Sequence, residues 1–429
     1  MTATDPKRVM FMPECEVLAH TGRCLAVAKT LRKKFKGEII FAGRGRYSKL
    51  ITEAGFKYYQ TKGSFRPIAT EFLTGGWSLF KIPALFRKLL ALYREIILGE
   101  LELYQALKPT LVIGDGRPSV SISAEIASLP CILITNISIG AGVLPRRAIK
   151  PILPPTSPLF TKFPWLRPVN NLPQKVKDFV LSSHFFKLSS FLRVKFYNRL
   201  RTSFGLKLWQ DRDTLKANQV ILADMEVFNP VKDLPENYHY VGPLVWEPDM
   251  ELPQSLRDKK DLIYITMGST GSPKAFPLLL AAFSRMPEFQ AVLSTGELIS
   301  MQQIGPLPSN VQAYRYLPGV EMAKRSRLII CHGGLGTIYQ ALSEGVPVIG
   351  IPFLPDQEVY GIDRVQALGA GLKIHLFELT PKRIISDVKR VFNSEEYRRA
   401  AQEISSHFTL EEGPQNAAEL ILRELSALG

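Results

Sequence analysis

Residues 328–372, LIICHGGLGTIYQALSEGVPVIGIPFLPDQEVYGIDRVQALGAGL, constrain the fold more than any other stretch of the chain. Leu328, Ile329 and Ile330 form an apolar, β-branched run that breaks at His332-Gly333-Gly334. Apolar residues then recur at helical spacing through Ile338, Ala341 and Leu342, so the pattern predicts a buried strand, a glycine turn and a helix N-terminus. Glycines let a ligand approach the backbone, and the free N–H groups of a first helical turn suit a phosphate. Gly345 and Pro347 end the helix, and Val346, Val348, Ile349 and Ile351 read as the next buried strand. Its end delivers Pro355-Asp356-Gln357, polar groups at the strand end where open α/β sheets bind ligands.

The same grammar recurs along the chain. Val9–Met12 reads as a first buried strand, followed by a loop from Glu14 to Ala19, by His20 standing before a helix (Leu25, Ala28, Leu31), and by the strand Ile39–Ala42. This is the βαβ opening of a doubly wound sheet. Pro109–Gly116 is an apolar strand that ends in Asp115, and 132–134 and 220–222 extend the sheet. Residues 77–107 carry an amphipathic helical pattern. A second start follows at Leu262–Thr266, whose small-residue sequel Met267-Gly268-Ser269-Thr270-Gly271-Ser272 suits a phosphate loop. With 429 residues, two domains are expected: 1–242, a linker at 243–260 rich in Pro and acidic residues, 261–400, and a C-terminal segment 401–429 whose two helical pieces are separated by Gly413-Pro414.

His332-Gly333-Gly334-x-Gly336-Thr337, Gly345-Val346-Pro347, Pro352 and Asp356-Gln357 together resemble the donor box of nucleotide-sugar-dependent glycosyltransferases of the two-Rossmann-domain (GT-B) fold, near the sterol and glycopeptide-antibiotic branch. An ordinary βαβ unit explains the glycines, but neither the His at the turn nor the Asp-Gln pair. The resemblance implies an α/β fold of two Rossmann-like domains facing a cleft, with the last helix crossing back onto the N-domain. It implies that His332 and Thr337, with Gly333, Gly334 and Gly336, hold the diphosphate of a UDP- or dTDP-linked sugar, that Gly268-Ser269 lies beside it, and that Asp356 and Gln357 bond the sugar hydroxyls. Where the family has a ribose-binding Glu, this chain has Gln340. Tyr316-Leu317-Pro318-Gly319 stands in place of Trp-x-Pro-Gln, so Tyr316 either stacks on the base or packs in the core. Ala19-His20-Thr21-Gly22-Arg23 keeps only the His of the family's general-base segment, and Asp115 stands where a carboxylate can orient it. The implied reaction is inverting and metal-independent, with a nucleotide-sugar co-substrate and no further cofactor.

Composition bounds the setting. Apolar residues make up 46% and charged residues 22%, the balance of a globular chain. Cys15, Cys24, Cys131 and Cys331 lack metal-ligand spacing and suit a reducing cytoplasm. The polar N-terminus predicts no signal peptide, and no uncharged run is long enough to span a membrane. Asp211-Arg212-Asp213 resembles a metal-binding Asp-x-Asp but reads as a solvated helical face, so no metal is expected. Between Pro145 and Gly205 twelve basic side chains face one acid, Asp178, a formal +11 of the chain's +15, interleaved with aromatics such as Phe160, Trp165, Phe186 and Phe196. No nucleic-acid motif accompanies them. A hydrophobic or lipid-like acceptor, with possible peripheral attachment to an anionic membrane, is expected there, a solvated basic face being the alternative. A nucleotide-sugar epimerase of the same fold and a non-catalytic partner subunit are the competing functions.

Overall fold

The structure, a computed structural model, describes residues 7–63, 82–137, 194–209, 216–231, 234–296, 298–354 and 356–428. Two parallel sheets carry it. The first runs in the order β3-β2-β1-β4-β5-β6-β7, built from β1 (Arg8–Pro13), β2 (Glu38–Gly43), β3 (Lys57–Gln60), β4 (Leu111–Asp115), β5 (Cys131–Thr135), β6 (Gln219–Leu222) and β7 (Tyr238–Tyr240). The second runs β10-β9-β8-β11-β12-β13, from β8 (Leu262–Thr266), β9 (Ala291–Ser294), β10 (Val311–Tyr314), β11 (Ser326–Cys331), β12 (Val348–Gly350) and β13 (Gly371–Lys373). Strands buried on both faces read as continuous apolar runs, and Val9 to Met12 have no exposed surface at all.

Strand order reverses twice, between β1 and β4 and between β8 and β11, and the loops leaving the carboxyl ends of those strands bound the crevices where such sheets take ligands. Register sets Pro13 beside Asp115 in the first sheet. In the second it sets Cys331 beside both Thr266 and Gly350, so the turns after β8, β11 and β12 converge. Helix α1 (Leu18–Leu31) starts before His20 rather than after it, which puts His20 in the first helical turn.

The chain returns to its first half through α7 (Glu412–Ala427), which packs on α1 and places Ala417, Ile421 and Leu425 in the core of the first sheet. Asn416 donates to the Val241 carbonyl at 2.9 Å, and Lys7 to the Leu425 carbonyl at 2.7 Å. Here sequence reasoning misplaced the break. Gly413 and Pro414 lie inside the first turn of α7, where a missing N–H costs nothing, and a Cβ on Gly413 would meet the Pro243 carbonyl at 2.1 Å. The preceding helix α6 (Glu395–Ser405) stays with the second half, its Ala401 and Ile404 buried with Leu342 and Val346. One face of helix α2 (Ile82–Leu107) is buried, with Tyr104 packed among Met10, Met12 and Val112 of the first sheet, and helix α3 (Ala275–Phe283) buries Leu279 and Phe283 with Ile263 and Leu293 of the second. Residues 64–81, most of the basic segment (138–193) and Asp211-Arg212-Asp213 lie outside the described residues. Among the described residues no helix is long and apolar enough to cross a membrane.

Candidate active site

At the first reversal point, β4 ends in Asp115, whose side chain has no exposed surface. Its Oδ1 lies 2.7 Å from Nδ1 of His20. Arg23, one helical turn beyond His20 on α1, donates Nε to Oδ2 at 2.8 Å and Nη2 to Oδ1 at 2.5 Å. Burial opposes the charge on Asp115, but Arg23 and then His20 outweigh it and hold the carboxyl below its ordinary range. The carboxylate can only accept and the guanidinium can only donate. Nδ1 is flanked by Oδ1 at 2.7 Å, which only accepts, and by Nη2 of Arg23 at 2.8 Å, which only donates; in the tautomer that places the ring proton on Nδ1 toward Oδ1, Nε2 keeps the free pair. The imidazole lies over Gly116, where a Cβ would stand 2.5 Å from Nε2 and where φ is +65°. Glycine meets both demands. Glu14, in the loop after β1, is buried and its carboxyl is raised by desolvation, against the opposing pull of Arg117 and, more weakly, His20.

Around the second reversal point, three glycines enclose His332. A Cβ would lie 2.3 Å from its ring at Gly268, 2.4 Å at Gly334 and 2.9 Å from its Cβ at Gly271. Burial pushes the imidazole down to about 4, so His332 is neutral at pH 7, and its Nδ1 has no partner among the described residues. Helix α5 (Leu335–Ser343) begins just after it, with Gly336 exposed and Thr337 half-buried on its first turn. Ser269 is half-buried in the facing loop. Gly333 (φ +84°) lets the chain turn against the Gln357 backbone, and a Cβ on Gly361 would meet the Gly333 carbonyl at 2.0 Å.

Asp356 and Gln357, adjacent in sequence, divide in space. Asp356 is exposed to solvent, yet the cleft walls remove enough hydration to raise its carboxyl, opposed by its own and the Gln357 backbone N–H and by the charge of His20. His20 therefore lies near enough to bear, weakly, on Asp356 of the other half. Gln357 is buried, and its Oε1 accepts from Phe353 and Leu354 N–H at 3.0 Å each, while Nε2 donates to Thr270 Oγ1 at 3.0 Å. Its amide therefore braces the turn after β12 to the turn after β8. Residues 357–362 form a π-helical turn that continues from this brace.

Gln340, one turn along α5, covers Gly319 at the start of helix α4 (Gly319–Arg325), where a Cβ would lie 2.4 Å from its Oε1. Its Nε2 reaches Oε1 of Glu247 at 3.5 Å, so a linker carboxyl stands beside the amide. Tyr316 is half-buried with the Arg315 guanidinium 5.7 Å from its ring. All four cysteines are free and buried, with the thiols of Cys15, Cys131 and Cys331 pushed up to about 12 by burial.

Sequence reasoning missed three of these contributors. Arg23 carries a signal, its i,i+3 spacing from His20, whereas Glu247 and the anchoring role of Thr270 depend on contacts across distant segments. A further link between the halves was also unforeseen: Tyr339 of α5 donates its hydroxyl to the fully buried Asp224 just beyond β6, and Asn229 donates to both Asp224 and the Tyr360 carbonyl.

Two facing Rossmann-like halves, each with its polar groups at a strand-order reversal, define the GT-B class of group-transfer fold. Residues 290–425 match the family described as Erythromycin biosynthesis protein CIII-like, C-terminal domain. The chain is 30% identical over 410 residues, 94% of its own length and 89% of the relative's, to a PGL/p-HBAD biosynthesis glycosyltransferase from Mycobacterium tuberculosis. It is 28% identical over 412 residues, 95% of this chain and 85% of the relative, to a PGL/p-HBAD biosynthesis rhamnosyltransferase from Mycobacterium bovis. The solved structure of CalG4, the calicheamicin glycosyltransferase, superposes with a TM-score of 0.69 at 19% identity, covering 98% of each chain. The chain belongs to the GT-B glycosyltransferase family.

Proposed function

We propose that the protein transfers a sugar from a nucleoside diphosphate donor to a hydroxyl of a hydrophobic or lipid-like acceptor, in one displacement with inversion and without a metal. The observation that carries this reading is the His20 imidazole held at 2.7 Å by the buried Asp115 at a strand-order reversal, with Asp356 of the other half near enough for the two to bear on each other. The Nε2 lone pair takes the acceptor's proton as its oxygen attacks the anomeric carbon, and Asp115 stabilises the imidazolium that forms. On the opposite face, the first-turn N–H groups of α5, Thr337 and a neutral His332 N–H receive the charge that develops on the leaving diphosphate. Asp356 is the accessible acceptor for sugar hydroxyls, and Tyr316, Gln340 and Glu247 line the side where the nucleoside follows from the diphosphate.

The name of the rhamnosyltransferase relative supports a deoxyhexose such as rhamnose as one donor sugar, carried on UDP or dTDP in this proposal. Mass spectrometry of UDP- and dTDP-sugars, rhamnose included, incubated with and without a panel of lipid and aromatic hydroxyl acceptors tests the proposal. Acceptor-dependent release of the diphosphate with a glycosylated product is expected, and His20→Ala lowers turnover by about a hundredfold or more with nucleotide binding intact. Donor conversion without acceptor indicates an epimerase instead. No turnover with any donor, or near wild-type turnover in His20→Ala, overturns the mechanism.

A further inference from the structure

Asp115 is a buried carboxylate gripped from two sides, and the second grip is the one that the hydroxyl-activating pair does not itself require. Arg23 meets both carboxylate oxygens, and its Nη2 also lies 2.8 Å from Nδ1 of His20. The guanidinium is buried, with 8% of its side-chain surface exposed, so its charge is little screened. We propose that Arg23 is a positioning residue for the transfer step: by neutralising Asp115 it lets the carboxylate fix the ring of His20 without drawing a proton onto it.

This inference rests on the general-base reading of His20. A base must reach the acceptor with its lone pair free, yet an uncompensated carboxylate 2.7 Å from an imidazole favours the imidazolium, and burial strengthens that attraction. Arg23 cancels the carboxylate's charge within hydrogen-bond distance while leaving its oxygen as an acceptor for Nδ1–H. The remaining groups whose charge bears on the site do not replace it. Glu14 from the β1 loop and Asp356 from the facing half are both acids, and would add to the pull on a proton when ionised. Cys24, next along α1, is a buried thiol raised well above its ordinary value and stays neutral. Asp224 bears on Arg23 itself. Arg117, the other buried cation near Glu14, is paired with the buried Glu100 at 2.7 Å, so Arg23 is the cation in contact with both Asp115 and His20. When the imidazolium forms during transfer, Oδ1 still accepts the Nδ1–H hydrogen bond, so the ring stays oriented, while the Arg23 charge keeps its resting form neutral.

Nuclear magnetic resonance of the imidazole Cε1–H signals, assigned with His20→Ala, tests the proposal in the full chain without substrate. In Arg23→Met the His20 titration midpoint is expected to rise by about one pH unit or more, the size typical of an opposite charge left unopposed at this range. Arg23→Lys, which restores the charge, is expected to stay within about half a unit of the wild type. The acidic limb of kcat/KM should move up with the midpoint, and Arg23→Met should regain most of its turnover above the new limb, which a merely structural loss would not allow. Should Arg23→Met fail to fold, Arg23→Gln against Arg23→Lys gives the same comparison. An unchanged or lower midpoint in the uncharged variant overturns the role of Arg23. Retained turnover in His20→Ala overturns the general-base reading instead, and the substrate-free titration still decides the question for Arg23.

Discussion

Gln357→Ala distinguishes a brace from a ligand. The wild-type amide makes three hydrogen bonds of 3.0 Å, two accepted from Phe353 and Leu354 N–H and one donated to Thr270 Oγ1, from a side chain that is buried. Each is worth about 1 kcal/mol net, and the two backbone N–H groups, half-buried, lose part of their satisfaction, so the variant should be destabilised by about 2–4 kcal/mol. For a domain of this size that lowers the melting temperature by about 5–12 °C. Because the turn after β8 loses its tether to the turn after β12, affinity for the bare nucleotide and for the nucleotide-sugar should fall together in calorimetry. Gln357→Glu keeps an oxygen for the two N–H groups, and the Thr270 hydroxyl can rotate to donate, so its loss should be smaller. If differential scanning calorimetry shows an unchanged transition while only the sugar-bearing nucleotide binds more weakly, the brace argument is refuted and Gln357 is a direct sugar ligand.

Three other outcomes follow from the structure. His332→Ala should weaken UDP or dTDP binding by about 1–3 kcal/mol, the loss of a hydrogen bond to a charged group, and unchanged affinity in a folded variant would remove His332 from the donor site. Burial raises the Asp224 carboxyl from an ordinary 3.8 to about 6, in spite of the donors Tyr339, Asn229 and Met225 N–H. The folded state therefore holds this proton more tightly, and the group's contribution to stability is full below about pH 4 and lost as pH rises through about 6. The stability of Asp224→Asn relative to wild type should accordingly increase by about 3 kcal/mol between pH 4 and pH 7 in urea titrations, and a flat difference would contradict it. Finally, the protein should co-sediment with anionic but not neutral vesicles, less so in high salt, and charge reversal at the exposed Lys195 and Arg199 should reduce it by about 1 kcal/mol each. Equal binding to neutral vesicles would mark the basic run as a solvated face.

What the chain's own residues determined is the pair of doubly wound sheets and the places where they turn. Val9–Met12, Leu262–Thr266 and Ile329–Cys331 are legible because a parallel strand covered on both faces must be apolar throughout, and His332-Gly333-Gly334 is legible because a strand cannot pass into a helix there without glycine's freedom. The edge strands β3 and β10 gave no such signal, since Lys57–Gln60 and Gln312–Tyr314 are largely unburied and carry polar side chains. Tertiary structure alone decided which neighbours of the motif residues were free. It turned Gln357 inward to Thr270 while leaving Asp356 to the cleft, brought Glu247 from the linker to Gln340, and carried α7 from Gly413 back onto α1. The Arg23 fork sits between these cases: its helical spacing from His20 is in the sequence, but a carboxylate from β4, 92 residues further on, had to arrive between them before the arginine acquired a role. Local pattern reports what a backbone segment must bury, whereas hydrogen bonds between segments remote in sequence depend on packing that no local pattern encodes.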